Sequence, residues 1–269
     1  MAIPRVMVLK EHGTNCEMES VDAFEKAGAK AKIVHMNDLI DSPKTLLRYQ
    51  ILMLPGGFSH GDDTGSGLAW ANRIRGNIWD TVRKYIEGDR LALGICNGFQ
   101  TLVNLGFFPT VTGQYGIRNS ALIHNNSARY TCRWVDLKFS GKGPWFKGMN
   151  EQTYPFPIAH GEGKFYAGLE TFLDMREKGM IAAKYTHGEI CNYQSLEANP
   201  NGSLEDIAGV TDESGKVLGM MPHPERAFYF DRLPNAPYLK EKFKRQGEKV
   251  PKHGPGYKIF KNAVEYFTR

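Results

Sequence analysis

Cysteine is scarce in this chain. Four occur in 269 residues, at Cys16, Cys96, Cys132 and Cys191, and no two form a CxxC pair. Neither a disulfide scaffold nor a zinc ribbon is implied, and no metal or cofactor of the chain's own is expected. A long apolar run is missing too. Nothing approaches the length that crosses a bilayer, and the N-terminal stretch turns polar by Lys10, too soon for a secretory signal. The expected setting is a reducing cytoplasm without membrane partners, where a free reactive thiol persists. Charge of one sign is in short supply: 34 Lys and Arg against 29 Asp and Glu give a net +5. A basic cluster at Lys240, Lys242, Lys244, Arg245, Lys249 and Lys252 reads as a solvated face or a protein-docking edge. No aromatic-basic motif accompanies it, so no nucleic-acid partner is expected. The phosphate-binding pattern GxxxxGK[ST] is absent, and with it the means to hold ATP. Repeats and linkers are lacking as well, which favours one domain over 1–269.

What is present is a rhythm of strands and helices. Val6 to Leu9, Ala31 to Val34, Gln50 to Leu54 and Leu91 to Ile95 are short apolar runs. Between the first two, residues 17–27 place Met18, Val21 and Phe24 on one helical face, with Gly28 as the stop. Trp70, Ile74, Ile78, Val82 and Ile86 recur at spacing four and predict one long amphipathic helix. This alternation predicts an α/β fold with a mainly parallel sheet covered by helices on both faces. Further on, Thr131 to Lys138 alternates as an antiparallel strand does, and Ile207–Thr211 with Val217–Met221 reads as a hairpin around 212–216. Residues 231–256 are polar and lack periodicity, as a surface excursion would. The run from Ile259 to Phe267 closes the chain as a helix.

In parallel sheets reactive groups gather at the carboxyl ends of strands. Cys96 stands at such an end, in Gly94-Ile95-Cys96-Asn97-Gly98-Phe99-Gln100. A strand–turn–helix elbow there exposes the sulfur, small flanking glycines permit its close approaches, and the positive helix end favours thiolate. A lone cysteine is more often a small buried hydrophobe, so the elbow needs partners. Met221-Pro222-His223-Pro224-Glu225 offers them. Pro224 holds His223 extended, so residues 223 and 225 point the same way, and Glu225 can orient one ring nitrogen while the other faces the thiol. His160 and Glu162 form a rival acid–base pair. Gly56-Gly57 after the third strand supplies backbone donors for an oxyanion, with the Asn97 amide as the second donor. Asn119-Ser120, residues 159–164 and Gly13-Thr14-Asn15-Cys16 are polar segments suited to substrate or partner contact, though the last equally reads as a turn and helix cap.

These residues resemble the triad, or class I, glutamine amidotransferase family. Cys96 occupies its nucleophile elbow, Gly56-Gly57 its oxyanion strand and His223 with Glu225 its HPE element. GGFSHGD at 56–62, GICNGFQ at 94–100, AHGEGKF at 159–165, NPNGS at 199–203 and GMMPHPERA at 219–227 resemble one branch, the free-standing glutaminase subunits of purine biosynthesis. The resemblance spans nearly the whole chain. It departs at Asp63-Thr64-Gly65-Ser66-Gly67, where an aromatic or aliphatic residue and an arginine are expected, and the segment after 228 is longer. The resemblance implies a mixed, mostly parallel sheet of flavodoxin-like type, with Cys96, His223 and Glu225 catalytic. Gly57, Asn97, Gln100, Asn119 and Ser120 would bind L-glutamine. It also implies a large synthetase subunit carrying ATP and Mg, and a small bridging subunit. The alternatives are another amidotransferase, a cysteine-dependent γ-glutamyl hydrolase, and a non-catalytic regulatory subunit.

Overall fold

Short apolar strands and amphipathic helices alternate through the first hundred residues: β1 (Arg5–Lys10), α1 (Glu17–Ala27), β2 (Lys30–His35), α2 (Met36–Asp41), β3 (Ile51–Leu54), α3 (Leu68–Asn77), α4 (Trp79–Glu87), β4 (Leu91–Ile95) and α5 (Asn97–Asn104). The remainder contributes β5 (Ser120–Ile123), β6 (Thr131–Phe139), β7 (Thr153–His160), β8 (Lys164–Ala167), α6 (Leu169–Glu177), β9 (Ile181–Thr186), α7 (Glu189–Gln194), β10 (Ile207–Thr211), β11 (Val217–Met220), α8 (Ala236–Arg245) and α9 (Gly256–Tyr266). This computed structural model describes residues 3–110, 113–149 and 152–268; residues 1, 2, 111, 112, 150, 151 and 269 lie outside the description.

Among the described residues, nine strands form one sheet in the order β2-β1-β3-β4-β11-β10-β9-β6-β7. The block from β2 to β11 is parallel, and the remaining strands pair antiparallel. β5 and β8 form a separate antiparallel pair. The sheet is therefore mixed, with its largest block parallel, as the sequence led one to expect. Every residue of β3, β4 and β11 is buried, which is why those strands read as continuous apolar runs rather than alternating ones. The 207–221 hairpin forms as expected.

Three expectations are corrected. The spacing-four run from Trp70 to Ile86 is two helices, not one. The chain leaves helical geometry at Ile78 (φ −136°, ψ 15°), and the Asn77 side chain donates to the Arg73 carbonyl at 2.8 Å. Gly76 and Asn77 are weak helix formers, and they fall where the break occurs. In α1, Met18 is 69% exposed; the buried face is Ser20, Ala23, Phe24 and Ala27, small residues that let α9 approach until Phe24 and Phe260 meet edge to face at 4.9 Å. The polar excursion after 230 holds α8, whose Ala236 packs with Phe230 and Leu233 and is flanked by Leu239 and Phe243. Lys242, Lys244, Arg245, Lys249 and Lys252 are exposed, as a solvated face requires.

Candidate active site

Four neighbouring parallel strands, β1, β3, β4 and β11, deliver their carboxyl ends to one place. Ile95 lies opposite Met220 in the β4–β11 register, so the elbow after β4 and the loop after β11 start side by side. Cys96 adopts φ 51° and ψ −108°, outside both helix and strand, and α5 begins at the next residue. Such a left-handed conformation in a non-glycine residue is held only by its surroundings. The turn closes so tightly that a side chain at Gly98 would collide with the Leu54 carbonyl, and one at Gly94 would meet the Gly98 carbonyl at 2.7 Å. Cys96 is 5% exposed, and its thiol donates to the Ala159 carbonyl at 3.6 Å.

His223 and Glu225 are 2% and 1% exposed, and His223 Nδ1 is hydrogen-bonded to Glu225 Oε1. The His223 amide donates to the Pro157 carbonyl at 2.9 Å, tying the loop to β7. Burial alone would lower the His223 pKa. The Glu225 charge and the thiols of Cys16 and Cys96 beside the ring outweigh it, and the pKa stands well above the ordinary value. Nε2 makes no hydrogen bond of normal geometry and is the ring nitrogen left for the thiols. Among the described residues, sulfur, imidazole and carboxylate thus converge in the order that nucleophilic catalysis needs.

The rival pair does not form. His160 Nδ1 faces Asn125 Oδ1 at 3.1 Å, and burial holds its pKa down at about 3. Glu162 instead lies 3.8 Å from His124 and accepts from the Ser66 amide at 3.3 Å. Asn125 and Asn201 brace the 159–165 segment: Asn125 Nδ2 donates to the His160 carbonyl at 2.9 Å and Asn201 Nδ2 to the Gly163 carbonyl at 2.8 Å. The AHGEGKF and NPNGS motifs are therefore two halves of one support.

The other expected residues divide. Gly57 lines the cavity over Cys96, at φ 150°, and a side chain there would strike Thr14 Cα at 2.5 Å. Asn97 opens α5, where helix amides lack internal partners. Its side chain fixes the elbow, accepting from the Ser59 amide at 3.0 Å and donating to Asp62 at 3.1 Å and to Gln100 at 3.0 Å. Gln100 Nε2 donates to the Glu162 carbonyl at 2.6 Å. Asn119 and Ser120 do not line the cavity, and the Ser120 hydroxyl donates to the Phe108 carbonyl at 2.7 Å. Residues 63–67 join the site's outer wall: Ser66 Oγ donates to Asp62 at 3.0 Å, and a side chain at Gly67 would meet the Thr101 amide at 2.6 Å.

Sequence reasoning left three side chains out of the site. Phe58 and Tyr130 line the cavity with ring centroids 6.1 Å apart. Arg226, the residue after Glu225, donates to Cys16 Sγ at 3.1 Å and to Glu19 at 3.1 Å. Only its adjacency to Glu225 could have drawn attention. Cys16 itself, read as a turn or contact residue, proves to be 1% exposed and beside the imidazole.

A sequence profile described as a CobB/CobQ-like glutamine amidotransferase domain matches residues 3–267. The chain belongs to that family. Among amidotransferases, it is 46% identical to phosphoribosylformylglycinamidine synthase subunit PurQ of Methanococcus maripaludis strain C7, covering 99% of this chain and 98% of that protein. The corresponding subunit of Dehalococcoides mccartyi is 36% identical over 99% and 98%. A chain in the structure of PurLQS from Thermotoga maritima superimposes with a TM-score of 0.68 at 28% identity, covering 99% of this amidotransferase and all of that chain.

Proposed function

We propose that this chain is the glutaminase subunit of a phosphoribosylformylglycinamidine synthase. It hydrolyses glutamine and passes ammonia to a synthetase subunit, which converts formylglycinamide ribonucleotide to the amidine with ATP and Mg. The observation that carries the reading is the convergence of Cys96, His223 and Glu225 at the carboxyl ends of β4 and β11, within a chain that matches PurQ relatives over nearly its full length. The same arrangement speaks against a purely regulatory subunit, because no non-catalytic role calls for a strained elbow aimed at an oriented imidazole.

The chemistry follows from the geometry. Glutamine presents its side-chain amide to Cys96. His223 takes the thiol proton through Nε2, and the sulfur attacks the amide carbon. The amides of Gly57 and Asn97 hold the oxyanion, each contributing about 3 kcal/mol. His223 gives its proton to the departing ammonia, then activates the water that hydrolyses the glutamyl thioester. Glu225 keeps Nδ1 protonated and the ring aligned throughout. Gln100 acts by joining the elbow to the 159–165 segment.

Because the chain offers no phosphate loop, ATP belongs to the partner. A PurLQS assembly in a structural relative supports a synthetase and a small third subunit as partners. No helix among the described residues is long and apolar enough to cross a membrane. With four free cysteines this supports a cytoplasmic setting, and a sheet running from β1 to β11 supports one domain. The test is reconstitution. Mixed with its synthetase, ATP, Mg and formylglycinamide ribonucleotide, the chain should make amidine formation depend on glutamine, while ammonium salts bypass it. A mixture active with ammonium but indifferent to glutamine would reject the proposal.

A further inference from the structure

Two thiols, not one, flank the catalytic imidazole. The mechanism uses Cys96 and has no task for Cys16. Yet Cys16 Sγ, a ring nitrogen of His223 and a carboxylate oxygen of Glu225 all lie within 4.8 Å of one another, and all three residues are buried. Gly56 shows how closely both sulfur-bearing side chains pack: a Cβ there would stand 2.8 Å from His223 Cε1, 3.2 Å from Cys16 Sγ and 3.4 Å from Cys96 Cβ. His223 Nε2 and Glu225 Oε2 are buried without hydrogen-bond partners.

From this juxtaposition we propose that Cys16, Cys96 and His223 form a binding site for a thiophilic divalent cation, Zn²⁺, whose occupancy excludes glutamine. Two thiolates and one imidazole are a donor set that zinc takes tetrahedrally, with water in the fourth position. Glu225 on Nδ1 fixes the tautomer that leaves Nε2 to the metal, the usual support of a zinc-bound histidine. The cavity over the site, about 50 Å³, accommodates an ion with a water. Each thiol releases its proton to solvent as it ligates, and His223 ligates in its neutral form, so binding strengthens as pH rises. Arg226 faces Cys16 and opposes a second cation, but it is held by Glu19 and needs only to give up its bond to sulfur. With Cys96 and His223 both coordinated, neither nucleophile nor base is free.

A second cluster, Glu11, His12 and His35, has similar spacing. There Arg73 Nη1 already grips both oxygens of Glu11 at 2.7 Å, and His35 Nδ1 accepts from the Asn37 amide at 3.1 Å. It serves as the control.

The test is made on the metal-free full chain, so it does not depend on the glutaminase reading. Zn²⁺ is titrated by calorimetry and Co²⁺ by absorption. The expected result is one ion per chain and a thiolate-to-cobalt charge-transfer band that halves in Cys16→Ser. Affinity should fall about tenfold or more in Cys16→Ser and Cys16→Ala, each with its thermal unfolding recorded to show that it folds. Zinc should also slow alkylation of Cys96 in the wild type and protect it less in Cys16→Ser. Absence of binding, equal affinity in the Cys16 variants, or loss of binding in His12→Ala alone would overturn the proposal.

Discussion

His160 and His223 are both buried, yet they titrate in opposite directions. Burial alone drives His160 to about 3, whereas the carboxylate of Glu225 lifts His223 well above its ordinary range. Removing that carboxylate makes His223 resemble His160. Glu225→Gln is expected to drop the His223 titration below neutrality, read by NMR of the ring Cε1–H, and to cut glutamine-dependent turnover with little change in ammonium-dependent turnover. Stability carries the same signature. His160 is depressed, so its contribution is full above the unfolded value of about 6.5 and is lost as pH falls toward about 3. His223 is raised, so its contribution is full below about 6.5 and declines as pH rises through its folded pKa. His160→Asn should flatten the acid side of a melting-temperature profile by a few kcal/mol and leave the alkaline side alone. At this scale the sequence was legible where chemistry is local: Cys96, and a proline-held His223 two residues from Glu225. It was silent on Cys16, Tyr130 and Arg226, because contacts over roughly eighty to two hundred residues leave no mark in spacing.

The elbow joins β4 to α5, and its geometry depends on absent side chains. Gly98→Ala forces a methyl into the Leu54 carbonyl of β3. It should lower stability by about 1–3 kcal/mol, measured by urea unfolding, and displace Cys96 enough to abolish glutaminase activity. Gly56→Ala is the complementary case. Its methyl meets His223 and Cys16 rather than backbone, so activity should fall further than stability. Elements were legible where the apolar pattern is continuous, as in β1, β3 and β4. The Trp70–Ile86 helix was misread because both halves keep their apolar residues facing the sheet, so periodicity survives a break in the backbone at Ile78. Met18 misled for the opposite reason: close packing of α1 on α9 selects Ser20, Ala23 and Ala27, which a search for large apolar side chains passes over. α8 escaped notice because its apolar stripe, Ala236, Leu239 and Phe243, is short and set among lysines.

At the scale of the whole molecule, the isolated chain is closed over its own sulfur. The cavity at Cys96 is about 50 Å³, room for one or two waters and far below the roughly 300 Å³ at which ligand pockets begin. Phe58 and Tyr130 stand at its mouth. Glutamine therefore reaches Cys96 only in a minor, opened state, and a partner that favours that state raises turnover by its inverse population. If the open form is about 0.1–10% populated, adding the synthetase should stimulate glutamine hydrolysis about 10- to 1,000-fold. Tyr130→Ala should raise the activity of the chain alone and shrink that stimulation; equal turnover with and without the synthetase in the wild type would contradict the account.

The most direct measurement is the location of the acyl intermediate, since two thiols border the same imidazole. The assembled complex is supplied with glutamine, quenched in acid within a single turnover, and its peptides are mapped by mass spectrometry. The account predicts a glutamyl thioester on the peptide containing Cys96 and none in Cys96→Ala, which should still use ammonium. A glutamyl group on Cys16, or an active complex that forms no adduct at Cys96, would contradict it.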